Sequence, residues 1–84
     1  MRKSMYAILD EKAQVIGPIF LATSDSEAER TVALGVKGNE LMIRYPADFA
    51  LLRLGDIVCC TGRIEAPEVP SIVCKLDEIL PLGD

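Results

Sequence analysis

The chain has 84 residues, half of them apolar and 26% charged, and its formal net charge at pH 7 is −4. This length suits one domain and not two, so we predict a single domain over residues 1–84 without a linker. The acidic balance argues against a protein that coats nucleic acid non-specifically, and the apolar content argues against disorder.

The first part of the chain predicts two strands. Residues 4–9 form a short apolar run, and residues 15–21 form a second one around Gly17 and Pro18. Proline cannot donate a hydrogen bond to a neighbouring strand. We therefore expect the second strand at an edge of the sheet or interrupted by a bulge.

A capped helix follows. Ser24 and Glu27 have the spacing of a capping box, in which the Ser24 hydroxyl accepts from the Glu27 amide and the Glu27 carboxylate reaches back. Acidic residues in the first turns suit the helix dipole, and Gly35 or Gly38 is a plausible stop. The sequence predicts a helix that begins at Asp25 and ends at Leu34.

The second half predicts a hairpin and one open element. Residues 50–58 are typical of a strand in which Gly55 marks a bulge, and a turn at Thr61 and Gly62 leads into a return strand. Residues 71–80 fit either a helix or a strand. The predicted fold class is α+β, with a small antiparallel sheet of about four strands and one well-capped helix.

The sequence offers little chemistry. It has no histidine, which removes the commonest general base and the commonest metal ligand. Cys59, Cys60 and Cys74 lack the spacing of a zinc site and are expected to be reduced, partly buried thiols. We expect no catalytic residue, metal or cofactor. With neither a signal peptide nor an apolar run of about 20 residues, we expect no membrane association.

Any contact with DNA must come from a restricted patch because the net charge is negative. The candidates are three arginines in or beside the second-half strands, two basic residues near the N-terminus and two aromatic residues that flank Pro46: Arg44, Arg53, Arg63, Arg2, Lys3, Tyr45 and Phe49. Core packing is the alternative for both aromatic residues. The hairpin is also compatible with an OB-like barrel that binds single strands, or with an ordinary β-hairpin.

Ordered motifs run from Tyr6 to about Leu80. They are Tyr6-Ala7-Ile8-Leu9-Asp10-Glu11-Lys12-Ala13, Gly17-Pro18-Ile19-Phe20, Glu27-Ala28-Glu29-Arg30, Pro46-Ala47-Asp48-Phe49-Ala50-Leu51-Leu52-Arg53-Leu54-Gly55-Asp56-Ile57, Thr61-Gly62 and Pro70. In this order they resemble the small nonstructural proteins of gokushovirus-type microviruses. Val58-Cys59-Cys60 departs from the acidic residues that this family places before the turn.

The resemblance implies a non-virion accessory protein of a small single-stranded DNA phage, made in the host bacterial cytoplasm. It implies binding to DNA, or to a phage or host replication protein, during genome synthesis. For the DNA binding that the resemblance implies, the negative net charge and the few basic residues lead us to expect weak, salt-sensitive binding that favours single-stranded DNA. We also expect a homodimer, because a short chain is rich in aliphatic residues and has edge strands. The alternative is a protein-interaction or dimeric adaptor module without nucleic-acid contact.

Overall fold

A computed structural model describes residues 1–80, and the last four residues of the predicted domain lie outside the described part. The elements follow the order β-β-β-α-α-β-β-β. The strands are β1 (Arg2–Asp10), β2 (Val15–Ile16), β3 (Phe20–Ala22), β4 (Phe49–Val58), β5 (Ile64–Glu65) and β6 (Ser71–Lys75). The helices are α1 (Asp25–Gly35) and α2 (Glu40–Arg44), with 3-10 helices at Pro46–Asp48 and Leu76–Glu78.

The six strands form one antiparallel sheet that is four positions wide. β1 and β4 pair along their whole length in the centre. β2 and β3 share one outer position beside β1, and β5 and β6 share the other beside β4. Pro18 separates the first pair, and Pro67 and Pro70 separate the second. The predicted α+β class is confirmed, and proline splits each outer strand in two.

One face of this sheet carries the main core. Tyr6 of β1 and Leu51 of β4 are fully buried there, together with Ala28 and Val32 of α1. We call this side the covered face. Its remaining buried members come from the ends of strands and helices and from the C-terminal segment: Ala22, Val36, Phe49, Cys74, Leu76 and Leu80.

The helix α1 begins and ends close to the predicted positions. The Ser24 hydroxyl accepts from the Glu27 amide at 3.2 Å, as a capping box requires. The expected return contact is replaced, because the Glu27 carboxylate instead accepts from the Thr23 hydroxyl at 2.6 Å. The helix ends at Gly35, one residue beyond the prediction, and Gly38 then adopts a φ of 87°.

Two elements of the second half were not specified by the sequence. Residues 40–44 form α2, which Asn39 caps by accepting from the Met42 amide at 3.2 Å. The segment left open between helix and strand is a strand to Lys75 and then a 3-10 helix. Its apolar residues resemble a helical period because Val73 is an extra residue in the pairing with β4, which shifts the alternation by one.

The predicted bulge at Gly55 is present. Met5 pairs with Gly55 and Tyr6 pairs with Arg53, so Leu54 is the extra residue of β4. A Cβ at Gly55 would lie 2.6 Å from the carbonyl oxygen of Glu65 and 2.9 Å from the Cβ of Ala66. Glycine at this position therefore allows the chain after β5 to lie against the bulge.

Candidate functional site

The second face of the sheet, which we call the open face, is the most unusual surface of the protein. In a strand, side chains alternate between the two faces, and directly paired residues of antiparallel strands share a face. Since Tyr6 and Leu51 point to the covered face, Ala7 and Leu52, which are paired with each other, point to the open face. Helix α1 contributes its buried residues to the covered-face core, and Met42 of α2 is partly buried against that core.

The register arranges the open face as four rows across the sheet. From one end to the other they are Lys3–Ile57–Ile64, Leu21–Met5–Gly55, Ala7–Leu52–Ile72 and Ile16–Leu9–Ala50–Lys75. All but the two lysines are apolar residues or glycine. The strand carboxylates of Asp10, Asp56 and Glu65 point to the covered face by the same rule.

Large side chains of the open face are in contact with solvent. Ile72 is 63% exposed, Ile64 57%, Leu21 46% and Ile16 45%, and all four lie on the outer strands. On the central strands Met5, Leu9 and Ile57 are half-buried, whereas Ala7, Ala50 and Leu52 are buried among their neighbours. The result is a continuous apolar surface, whereas soluble monomers rarely expose a contiguous apolar patch larger than a few hundred Å².

A polar network occupies the covered face beyond the end of the core. The Ser4 hydroxyl donates to the Asp56 carboxylate at 2.9 Å, and Arg53 donates to the same oxygen at 2.7 Å. Arg53 also donates to the Ser4 hydroxyl at 3.3 Å. The hydrogen bond from Ser4, followed by that from Arg53, holds the pKa of Asp56 below its ordinary value. Arg53 is therefore committed to a structural contact.

Two further arginines meet beside this network. Arg2 of β1 forms an ion pair with the Glu65 carboxylate, and Arg63 lies 3.2 Å from its other oxygen. The Arg2 and Arg63 side chains are largely exposed. One carboxylate therefore faces two guanidinium groups, and this end of the sheet carries a local excess of positive charge.

The structure does not assemble the predicted nucleic-acid residues into one site. Arg44 and Tyr45 lie at the α2 end of the sheet, whereas Arg2 and Arg63 lie at the other end, and β1 alone is about 26 Å long. Tyr45 is 49% exposed and presents a ring to solvent. Phe49 is 4% exposed and belongs to the core, so the alternative of core packing is confirmed for this residue and its role as a stacking residue is wrong.

The remaining predicted residues separate further. Lys3 is half-buried in a row of the open face, on the side opposite Arg53. The hairpin of β4 and β5 is present, but the described strands form an open sheet. An OB fold curls its sheet into a barrel, so the OB-like alternative finds no support in this topology.

The cysteines also differ from the prediction of partly buried thiols. Cys59 and Cys60 are exposed at the turn after β4, while Cys74 is buried in the core. Burial, with a smaller contribution from Glu29, raises the pKa of the Cys74 thiol to about 11. The adjacent pair and the third thiol therefore lie in different environments and share no site.

A cleft of about 370 Å³ lies between α2 and the strands β1 and β2. Its polar lining consists mainly of Asp10 and Asn39. Asp10 accepts from the amides of Lys12 and Ala13, and Asn39 caps α2. These side chains hold the backbone, so the cleft lacks the convergent polar groups of a ligand site.

The open face is the surface that the sequence analysis missed. An alternation of polar and apolar residues along a strand would have distinguished the two faces of the sheet. Residues 5–9 of β1 are apolar at both odd and even positions, so the sequence shows no polar face there. Among residues 1–80, no helix is long and apolar enough to cross a membrane.

Comparison with known proteins identifies a family. The family model described as phage ORF5 protein matches residues 3–79, which is nearly the whole chain. No curated protein and no solved structure matches the chain. The match agrees with the phage character of the resemblance noted above. The chain therefore belongs to the phage ORF5 protein family.

Proposed function

We propose that this phage ORF5 protein is a non-catalytic accessory protein that acts by binding another protein through its open face. The observation that carries the proposal is the continuity of that face. Four rows of apolar side chains lie side by side, and the largest of them are exposed at both borders. A surface of this kind is costly to leave in water and is typical of an interface.

The resemblance to microvirus nonstructural proteins supports the finer assignment to a small single-stranded DNA phage and to the host bacterial cytoplasm. In that setting a phage or host replication protein is a natural partner. Direct DNA binding receives less support from the geometry, because Arg53 is bound to Asp56 and the other arginines do not form one patch.

A specific observation nevertheless favours single-stranded DNA as a second candidate ligand. Arg2 and Arg63 converge on the single carboxylate of Glu65, so together they retain positive charge. A phosphate group could replace or join the carboxylate at this point, as guanidinium groups bind both. The site offers few phosphate contacts, so the expected affinity is low.

Complementation of a phage that lacks this gene separates the two candidates. Ile72→Lys places a charge on the open face, and Leu34→Lys places the same charge on an exposed apolar position of α1 outside it. A third variant, Arg2→Gln with Arg63→Gln, removes the basic pair. Protein binding predicts that only Ile72→Lys loses plaque formation, with all variants folded by circular dichroism.

The opposite pattern overturns the proposal. If the Arg2/Arg63 variant fails and Ile72→Lys complements as well as wild type, the basic end and not the open face carries the function. Equal loss with Leu34→Lys would contradict the role of the open face too, because that variant leaves it intact.

A further inference from the structure

We propose that the partner on the open face is a second copy of this chain, packed face to face as a two-fold symmetric β-sandwich. This inference rests on the proposed function and names the occupant of the same surface. Sheets that pack in this way interdigitate the side chains of their inner faces at a separation of about 10 Å. The relief, charge and size of the open face each favour this arrangement.

The relief of the open face suits a second copy. In two rows, the central strands pair a half-buried long side chain with a buried short residue: Met5 with Gly55 and Leu9 with Ala50. In the row between them Leu52 is only 6% exposed, and the projecting side chain is Ile72 of β6, which is 63% exposed. Long side chains next to short ones create projections beside recesses. A surface with both can interlock with a copy of itself.

Its charge also permits self-association. In a two-fold interface each patch meets the same patch, so a charged face would repel its copy. Among the described residues, the strand positions of the open face carry two charged side chains: Lys3, in an end row, and Lys75, whose ammonium group is paired with Glu11. The net charge of −4 therefore resides elsewhere and does not oppose contact between open faces.

The size of the face is adequate. Strands of nine or ten residues in four positions span about 26 Å by about 19 Å, or roughly 500 Å² in projection. Two such faces would bury about 1,000 Å² in projection, which is the lower limit expected of a specific interface. The exposed borders at Ile16, Leu21, Ile64 and Ile72 would become buried.

Light scattering coupled to size exclusion tests the inference on the whole chain at micromolar concentration. We expect twice the chain mass for wild type and for Leu34→Lys, and the monomer mass for Met5→Lys and Ile72→Lys. Ile72 is largely exposed, so its variant has the better prospect of keeping the fold. Met5 lies on β1, which has a neighbouring strand on both sides. A charge at Met5 therefore disturbs face-to-face packing without disturbing a dimer that forms through an edge strand.

Each outcome bears on one statement. A monomeric wild type would overturn the face-to-face dimer. A dimer that persists in both Met5→Lys and Ile72→Lys would overturn it too, and would point instead to a dimer formed by pairing of edge strands. If wild type is monomeric and Ile72→Lys still fails to complement, the open face binds a different protein, and the proposed function stands without this inference. A dimer lost in both variants, with Leu34→Lys unaffected, supports it.

Discussion

The hydroxyl of Tyr6 on β1 donates a 2.6 Å hydrogen bond to the carboxylate of Asp25, the first residue of α1. The Tyr6 ring is buried and stacked with Phe20 at a centroid separation of 5.8 Å. Burial, and then the hydrogen bond to Asp25, raises the pKa of Tyr6, so the hydroxyl remains a donor at neutral pH. This contact fixes the start of the helix to the central strand of the sheet.

Tyr6→Phe should lower the free energy of unfolding by about 1 kcal/mol, the usual net value of one hydrogen bond. The ring packing is retained, so the loss reports on the hydroxyl. Urea unfolding of Tyr6→Phe, Asp25→Ala and the double variant measures the coupling. Strictly additive effects of the two substitutions would contradict a direct interaction.

Asp56→Asn should destabilise the protein by about 1 kcal/mol at neutral pH, because the carboxylate accepts from both Ser4 and Arg53 while remaining partly exposed. The folded-state pKa of Asp56 is depressed. Its stabilising contribution is therefore complete above the unfolded value of about 3.9 and is lost as the pH falls through the lower folded value.

The checking measurement is the difference in unfolding free energy between wild type and Asp56→Asn, followed from neutral pH down to the acid limit of folding. We expect a constant difference that shrinks only below about pH 4. Glu68→Gln, at an exposed position, serves as the control and should change the unfolding free energy little at any pH. A difference that grows on acidification would contradict a lowered pKa of Asp56 in the folded protein.

Gly55→Ala should destabilise by about 2 kcal/mol or more, because the new Cβ would meet the backbone at Glu65 and Ala66. Gly35→Ala is the matched control. It lies at the end of α1 with nothing within 4 Å of an added Cβ, so it should be neutral or slightly stabilising. Thermal unfolding of both variants decides; similar effects at the two sites would contradict the close approach.

The thiols should react in two classes. Cys59 and Cys60 are exposed and should be modified rapidly by a thiol reagent in the folded protein at mildly alkaline pH. Cys74 should react only on unfolding, because it is buried and has a pKa of about 11. Counting modified thiols by mass spectrometry before and after adding denaturant tests this, and full modification of the folded protein would contradict it.

The same cysteines should hold no metal. Cys59→Ser with Cys60→Ser should leave stability nearly unchanged, whereas Cys74→Ser should cost stability by placing a hydroxyl in the core. Elemental analysis of the purified chain checks the metal content, and stoichiometric zinc would refute the expectation.

Binding to single-stranded DNA should be weak and dependent on salt. Contact with about two phosphates through Arg2 and Arg63 predicts a log–log salt slope of about −1.4 for single strands. Arg2→Gln with Arg63→Gln should weaken binding, whereas Arg44→Gln at the opposite end of the sheet should not. Fluorescence anisotropy with labelled DNA at low salt measures this, and equal loss in both variants would contradict a site at the basic end.

The sequence predicted those parts of the fold that local chemistry determines. The Ser24 cap marked the start of α1, Pro18 marked an interrupted edge strand and Gly55 marked a bulge, because each residue acts through its own backbone geometry. The short helix α2 was missed because residues 41–43 are too few to reveal a period. The open face was missed because it depends on the register between β1 and β4, which are distant in sequence.

For the candidate site too, the sequence revealed the residue types but not the tertiary contacts that each residue makes. Burial of Phe49 is a tertiary property, and Arg53 reaches Asp56 because the extra residue Leu54 puts both on the covered face. A basic or aromatic residue could therefore be recognised in the sequence, but its availability could not. Arg2 and Arg63 meet at Glu65 because β1 and β5 both pair with the same end of β4, although they are distant in sequence. The sum of the charges was nevertheless informative, since it already limited DNA contact to a small patch.

The central pairing of β1 with β4 also sets the order of events during synthesis. β1 leaves the ribosome well before β4, and residues 49–58 follow it only after roughly 2 to 10 seconds at about 5–20 residues per second. During that interval β2 and β3 can pair with one edge of β1, whereas the edge that belongs to β4 has no partner from the final sheet. The pairing of the two central strands therefore forms only after most of the chain has been made.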